Sequence, residues 1–135
     1  MNSESAPNVS YLQIAGRNLG AKEVGGDFFD YLEDGSNQLS IAVGDVSGKG
    51  LRGAMNAVMT SGVLRLSSKN QLDACTVMSE VNASLCDSME QDMNVTMVLA
   101  QFDHAEKQMT LANAGQHAYP LLIRGGFVQS VKAKG

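Results

Sequence analysis

The sequence predicts an α+β layered fold, and two observations carry that prediction. Apolar residues alternate with a period of two near both ends of the chain and recur every three or four positions across its middle. The resulting order of strands, two helices and strands excludes a regular βαβ alternation.

Residues 1–10 are polar and stand outside the patterned region, which runs over 11–135. Tyr11 to Asn18 reads as a first strand, with Leu12, Ile14 and Gly16 on one face. A second strand covers Gly26 to Leu32, and the turn-forming cluster Asp34-Gly35-Ser36-Asn37 leads into a third, Gln38 to Val46. Leu39, Ile41 and Val43 alternate in that strand, so the pair forms a hairpin whose far ends bring Asp27 and Asp45 side by side. From Leu51 to Ser68 the period changes. Leu51, Met55, Val58, Met59, Gly62 and Leu66 mark a helix face, with Met55, Met59 and Leu66 expected against the sheet. A second helix, Leu72 to Met89, carries Leu72, Cys75, Met78, Val81 or Asn82, Leu85 and Met89 as its stripe. Strands return at Val95 to Phe102, Gln108 to Ala114, Tyr119 to Arg124 and Phe127 to Val131, joined as a meander.

Composition narrows the function classes. The 135 residues fit one domain; 44% are hydrophobic and there is no Trp, so the core is aliphatic and rich in methionine. A formal charge of −4 without a basic run argues against nucleic acid and anionic membranes as partners. No apolar stretch approaches the roughly 20 residues that span a bilayer, and the polar start lacks a signal-peptide core. A cytoplasmic location is expected. Cys75 and Cys86 fall on one predicted helix, roughly 16 Å apart along its axis. A disulfide needs Cα atoms within about 7 Å, so both are expected as buried free thiols.

Two glycine-rich acidic segments stand out: Glu23-Val24-Gly25-Gly26-Asp27-Phe28-Phe29-Asp30 and Val43-Gly44-Asp45-Val46-Ser47-Gly48-Lys49-Gly50. Each sets a carboxylate beside glycines at the edge of an apolar strand. Glycines leave room for a ligand, and hard cations take carboxylate and carbonyl oxygens. Two unpaired carboxylates at adjoining strand ends repel unless a cation joins them. The alternative is a pair of turn-capping aspartates. A nucleotide-binding loop fails on its spacing, which would need Gly at position 43 and Ser or Thr at 50, where Val43 and Gly50 stand.

Together these segments resemble the signature of the PPM phosphatases, the metal-dependent serine/threonine phosphatases, in their bacterial SpoIIE/RsbU branch. Three weaker marks follow in the family's order: Asn82, Val95-Thr96 and Asn113-Ala114-Gly115. The resemblance covers Tyr11 to Gly135 and implies a sandwich of two mainly antiparallel sheets flanked by helices. It implies that Asp27, Asp45 and the carbonyl of Val46 bind metal, as part of a site for two Mn2+ or Mg2+ ions. Water activated there would attack a phosphoserine or phosphothreonine, and no protein nucleophile is required. None is evident: a cysteine phosphatase wants Arg six positions on, where Val81 and Asp92 stand. Substrates in this branch are commonly phosphorylated anti-sigma-factor antagonists.

The departures from the family pattern are specific. The further metal aspartate, in an Asp-Gly pair, has no counterpart, since no Asp follows Asp103. Gln116 replaces the usual His after Asn-Ala-Gly, and Lys49 is either a phosphate-neutralising residue or a solvated one. His104 is expected in an exposed turn. The expectation is therefore the N-terminal portion of a phosphatase domain, with strands and an Asp-Gly pair beyond Gly135 and a tendency to self-associate through open sheets. The alternative, of a different class, is a non-catalytic binding module derived from a phosphatase.

Overall fold

A computed structural model describes residues 6–19, 25–33, 38–70 and 73–133. The elements are β1 (Phe28–Glu33), β2 (Gln38–Val46), α1 (Gly50–Ser67), α2 (Ala74–Ser88), β3 (Val95–Asp103), β4 (Gln108–Ala114), β5 (Leu121–Arg124) and β6 (Phe127–Ser130). A short 3-10 turn, Ser68–Asn70, joins the helices. The predicted turn at 34–37 and Leu72 lie outside the described residues.

Strands β1 to β4 form one antiparallel sheet in sequence order, and β5 pairs with β6 in a second, two-stranded sheet. The fold is thus α+β with two antiparallel sheets and two helices, as expected. The helical pair connects the neighbouring strands β2 and β3 and lies on one face of the sheet. Alternate residues of the strands (Phe28 and Leu32, Ala42 and Val46, Met97 and Leu99, Ala112) meet Ala57 and Leu64 of α1 and Val77, Val81 and Leu85 of α2 in one core. Asp73 caps α2, its carboxylate accepting from the N–H groups of Cys75 and Thr76.

The predicted strand at Tyr11 to Asn18 is not one. That segment makes only a lone bridge between Val9 and Leu12 and lies against the sheet face away from the helices, where Gly16 meets Tyr31 and Phe29. Its alternation records one face turned to the sheet, without ladder pairing. The meander also breaks: β4 ends just before Gly115, whose φ is 77°, and β5 pairs with β6 alone.

The helix register differs from expectation as well. In α1 the buried positions are Gly53, Ala57, Thr60, Ser61, Leu64 and Ser67. Leu51, Met55, Val58 and Leu66 are 56–73% exposed, and Met59 only borders the core. The physical reason is a competing stripe at the same spacing, of small residues apart from Leu64, which lets the helix approach the sheet closely. A half-buried ion pair then fixes its rotation. Asp30 of β1, 4% exposed, accepts from the Ser61 hydroxyl at 2.6 Å and pairs with Arg65. In α2 the stripe is Ala74, Val77, Val81 and Leu85. Cys75 and Cys86 are free but exposed, one position away from the buried face.

Gly62 lies on the outer side of α1, with no atom within 4 Å of where a Cβ would be. Gly62→Ala should therefore stabilise the chain by about 0.5–1 kcal/mol, read as a higher urea midpoint with unchanged slope. Among the described residues no helix is long and apolar enough to cross a membrane.

Candidate metal centre

The site forms where β1 and β2 reach the same end of the sheet. Phe28 is paired with Gly44, so continuing the register places Asp27 opposite Asp45 and Gly26 opposite Val46. The Val46 N–H donates to the Gly26 carbonyl at 3.3 Å, carrying the pairing past the end of β1. Both aspartates are open to solvent on one side. Their carboxyl groups lie within hydrogen-bonding reach of each other. Partial burial, then the charge of Asp27 and the hydrogen bond with it, push the Asp45 carboxyl above its ordinary value.

Backbone crowds the same corner. A Cβ on Gly26 would lie 2.0 Å from the carbonyl oxygen of Val46, so only glycine lets the strands close here. On Gly53, in the first turn of α1, it would lie 2.6 Å from the Gly48 carbonyl oxygen. Two carboxylates at adjoining strand ends, with the Val46 carbonyl next in the chain after Asp45, are hard oxygen donors, a set that fits Mg2+ or Mn2+. Asp27, Asp45 and Val46 would hold the ion. Among the described residues no group of three or more His, Cys, Asp or Glu side chains comes together, and Glu23 lies outside them.

The weaker marks fall at different distances from this corner. Thr96 pairs directly with Asp45 across β2 and β3. Asn82 is on α2 and lines a cavity of about 340 Å³ with Met78, Leu85, Cys86 and Met97. Asn113 closes the turn after β4, accepting from the Gln116 N–H at 2.8 Å and donating to its carbonyl at 3.0 Å. Lys49 is exposed at the N-cap of α1. His104 is half-buried instead of exposed, because the Tyr11 hydroxyl sits 2.7 Å from its Nδ1 with the rings edge to face. Sequence reasoning missed Ser47 and Asn94, which join the loop after Asp45 to the loop before β3. A serine two positions past an aspartate carries no signal of that partner.

Comparison with known proteins assigns the class first. The chain superimposes on the RsbU and RsbW domains of Rv1364c from Mycobacterium tuberculosis with a TM-score of 0.70 at 24% identity, covering 88% of this chain and 32% of that one. The PP2C phosphatase domain of the cell fate determinant SpoIIE from Bacillus subtilis gives 0.69 at 23% identity, covering 83% and 32%. The fold is that of part of a PP2C-type phosphatase domain. The profile of the family described as Stage II sporulation protein E (SpoIIE) matches residues 35–135, and the chain belongs to that family. Phosphoserine phosphatase RsbU of Bacillus subtilis (strain 168) is 26% identical over 109 residues, 81% of this chain and 32% of that protein. The chain spans about a third of the length of these relatives.

Proposed function

We propose that residues 11–135 form the N-terminal portion of a metal-dependent serine/threonine phosphatase domain, preceded by the polar segment 1–10. In this reading Asp27, Asp45 and the Val46 carbonyl hold Mn2+ or Mg2+, with two ions in the complete domain. The substrate is a phosphoserine or phosphothreonine on a bacterial regulatory protein of the anti-sigma-factor antagonist type, met in the cytoplasm. The chain by itself self-associates through the open part of the sheet face away from the helices, where Val43 and Met109 are exposed.

The observation that carries the reading is the convergence of the Asp27 and Asp45 carboxyl groups at adjoining strand ends. Bound metal supplies an activated water and charge stabilisation at the phosphoryl group. The chain's own residues prepare the place: the two carboxylates supply negative charge, and Gly26 keeps the space beside the Val46 oxygen clear.

Mn2+ titration of the chain, followed by the signal of free Mn2+ in EPR, tests the site. Wild type should bind, Asp45→Asn should lose most of that binding, and equal binding by both would sink the assignment. The same variant tests the electrostatics without metal. A carboxyl raised in the folded state contributes stability that is full below the unfolded value of about 4 and is lost as pH rises through the folded value. Above that folded value the apo chain bears a charged Asp45 carboxylate beside Asp27. Asp45→Asn should raise its melting temperature there, and that gain should vanish when the pH is taken below about 4. Turnover on a phosphoserine protein is to be assayed on a longer chain that includes the residues of the complete domain, with Asp45→Asn as the inactive control.

A further inference from the structure

The geometry points to Ser47 as a positioning residue for the metal centre, acting through the Val46 carbonyl; this rests on the metal reading above. Ser47 and Asn94 close a two-bond clasp. The Ser47 N–H donates to the Asn94 carbonyl at 2.9 Å, and the Asn94 N–H donates to the Ser47 Oγ at 2.8 Å. The Ser47 hydroxyl proton is left facing the Met93 sulfur, at 3.9 Å.

The consequence lies in the peptide between Val46 and Ser47. In a trans peptide the C=O and the N–H point to opposite sides of one rigid plane. Fixing the Ser47 N–H on Asn94 therefore aims the Val46 oxygen the other way, into the space Gly26 leaves open, where a Cβ would be 2.0 Å from it. One hydrogen bond alone leaves that plane free to rock about its axis. The second, through the Ser47 hydroxyl, closes the ring and stops it. Asn94 is itself held in place, because Arg52 of α1 pairs with Glu90 and, at 3.0 Å, with Asp92 in the same loop. Ser47 touches neither metal nor substrate in this arrangement. It sets the direction of an oxygen that does.

Such outer partners commonly change metal affinity by roughly 10–100-fold when removed. Mn2+ titration of the full chain by EPR, paired with the unfolding midpoint of each variant without metal, tests the idea. Ser47→Ala should bind Mn2+ roughly 10–100-fold more weakly with an apo midpoint near wild type. Ser47→Thr, which keeps the hydroxyl, should restore the affinity. If Ser47→Ala does not fold, Ser47→Cys serves in its place, since it keeps the volume but is a weak acceptor. A purely structural serine would lower the midpoint and leave the affinity of the folded chain unchanged. Wild-type affinity in Ser47→Ala or Ser47→Cys, with binding still lost in Asp45→Asn, would overturn the positioning role alone. A Ser47→Thr variant as weak as Ser47→Ala would overturn it too. Absence of Mn2+ binding by wild type, or undiminished binding by Asp45→Asn, would overturn the metal reading and this role with it.

Discussion

Arg65→Ala is expected to destabilise the chain by about 3–5 kcal/mol, the cost of leaving a buried carboxylate without its cation. Asp30 is the most buried charged group of the sheet, at 4% exposed, and α1 supplies both of its identified partners. Arg65 itself is 40% exposed, whereas Asp30 is almost fully buried. The loss arises at Asp30, which among the described residues keeps the 2.6 Å hydrogen bond from Ser61. Domains of ordinary stability hold about 5–15 kcal/mol in total, so the variant should sit close to unfolding. Adding Asp30→Asn to Arg65→Ala should recover part of the loss, because the orphaned charge is then gone. Urea unfolding at pH 7 of wild type, the single variant and the double variant decides it. A single-variant loss below about 1 kcal/mol, the range of an exposed pair, would show that the pair does not hold α1 to the sheet.

Gly26→Ala should be the most damaging small substitution at the site. The added Cβ would lie 2.0 Å from the Val46 oxygen and 2.9 Å from its carbonyl carbon, and neither is the tip of a flexible side chain. Backbone must move, and the 3.3 Å hydrogen bond from Val46 to Gly26 goes with it. Overpacking of this kind costs about 1–3 kcal/mol. The same shift displaces the Val46 oxygen, so Mn2+ binding should fall together with the melting temperature. Gly25→Ala is the control, since among the described residues a Cβ there would meet only the Asp27 nitrogen, at 3.9 Å. If the Gly26→Ala variant melts and binds Mn2+ as Gly25→Ala does, the close approach of the two strands is not a requirement of the site.

The β1–β2 hairpin was legible because Leu39, Ile41 and Val43 alternate beyond a turn cluster, and its register then brings Asp27 and Asp45 together without further information. The rotation of α1 was not. Two stripes at helical spacing compete there, one large and apolar, the other small and polar. The choice depends on Asp30, a residue of another element, which draws Arg65 and Ser61 toward β1. The burial of Leu39, fully inaccessible on the face away from the helices, was half legible. Alternation predicts its side, while the segment with Gly16 that crosses this face contains no strand signal that survives folding. The Ser47–Asn94 clasp was invisible for a simpler reason. It joins positions whose nearness follows from the pairing of β2 with β3, which sets Val46 opposite Val95 although two helices intervene in the chain.

The β5–β6 hairpin gives the molecule two levels of protection against hydrogen exchange. Its residues are exposed along both strands, and its strands pair only with each other. A two-stranded ribbon is marginal by itself, so it can open without disturbing the rest. The amides of β2 and β3, paired over nine positions at the centre of the larger sheet and covered by both helices, open only with the whole core. Local and global opening are therefore separate events in this chain. The boundary between them runs through the segment after Gly115, so the larger sheet is insulated from fraying of this hairpin.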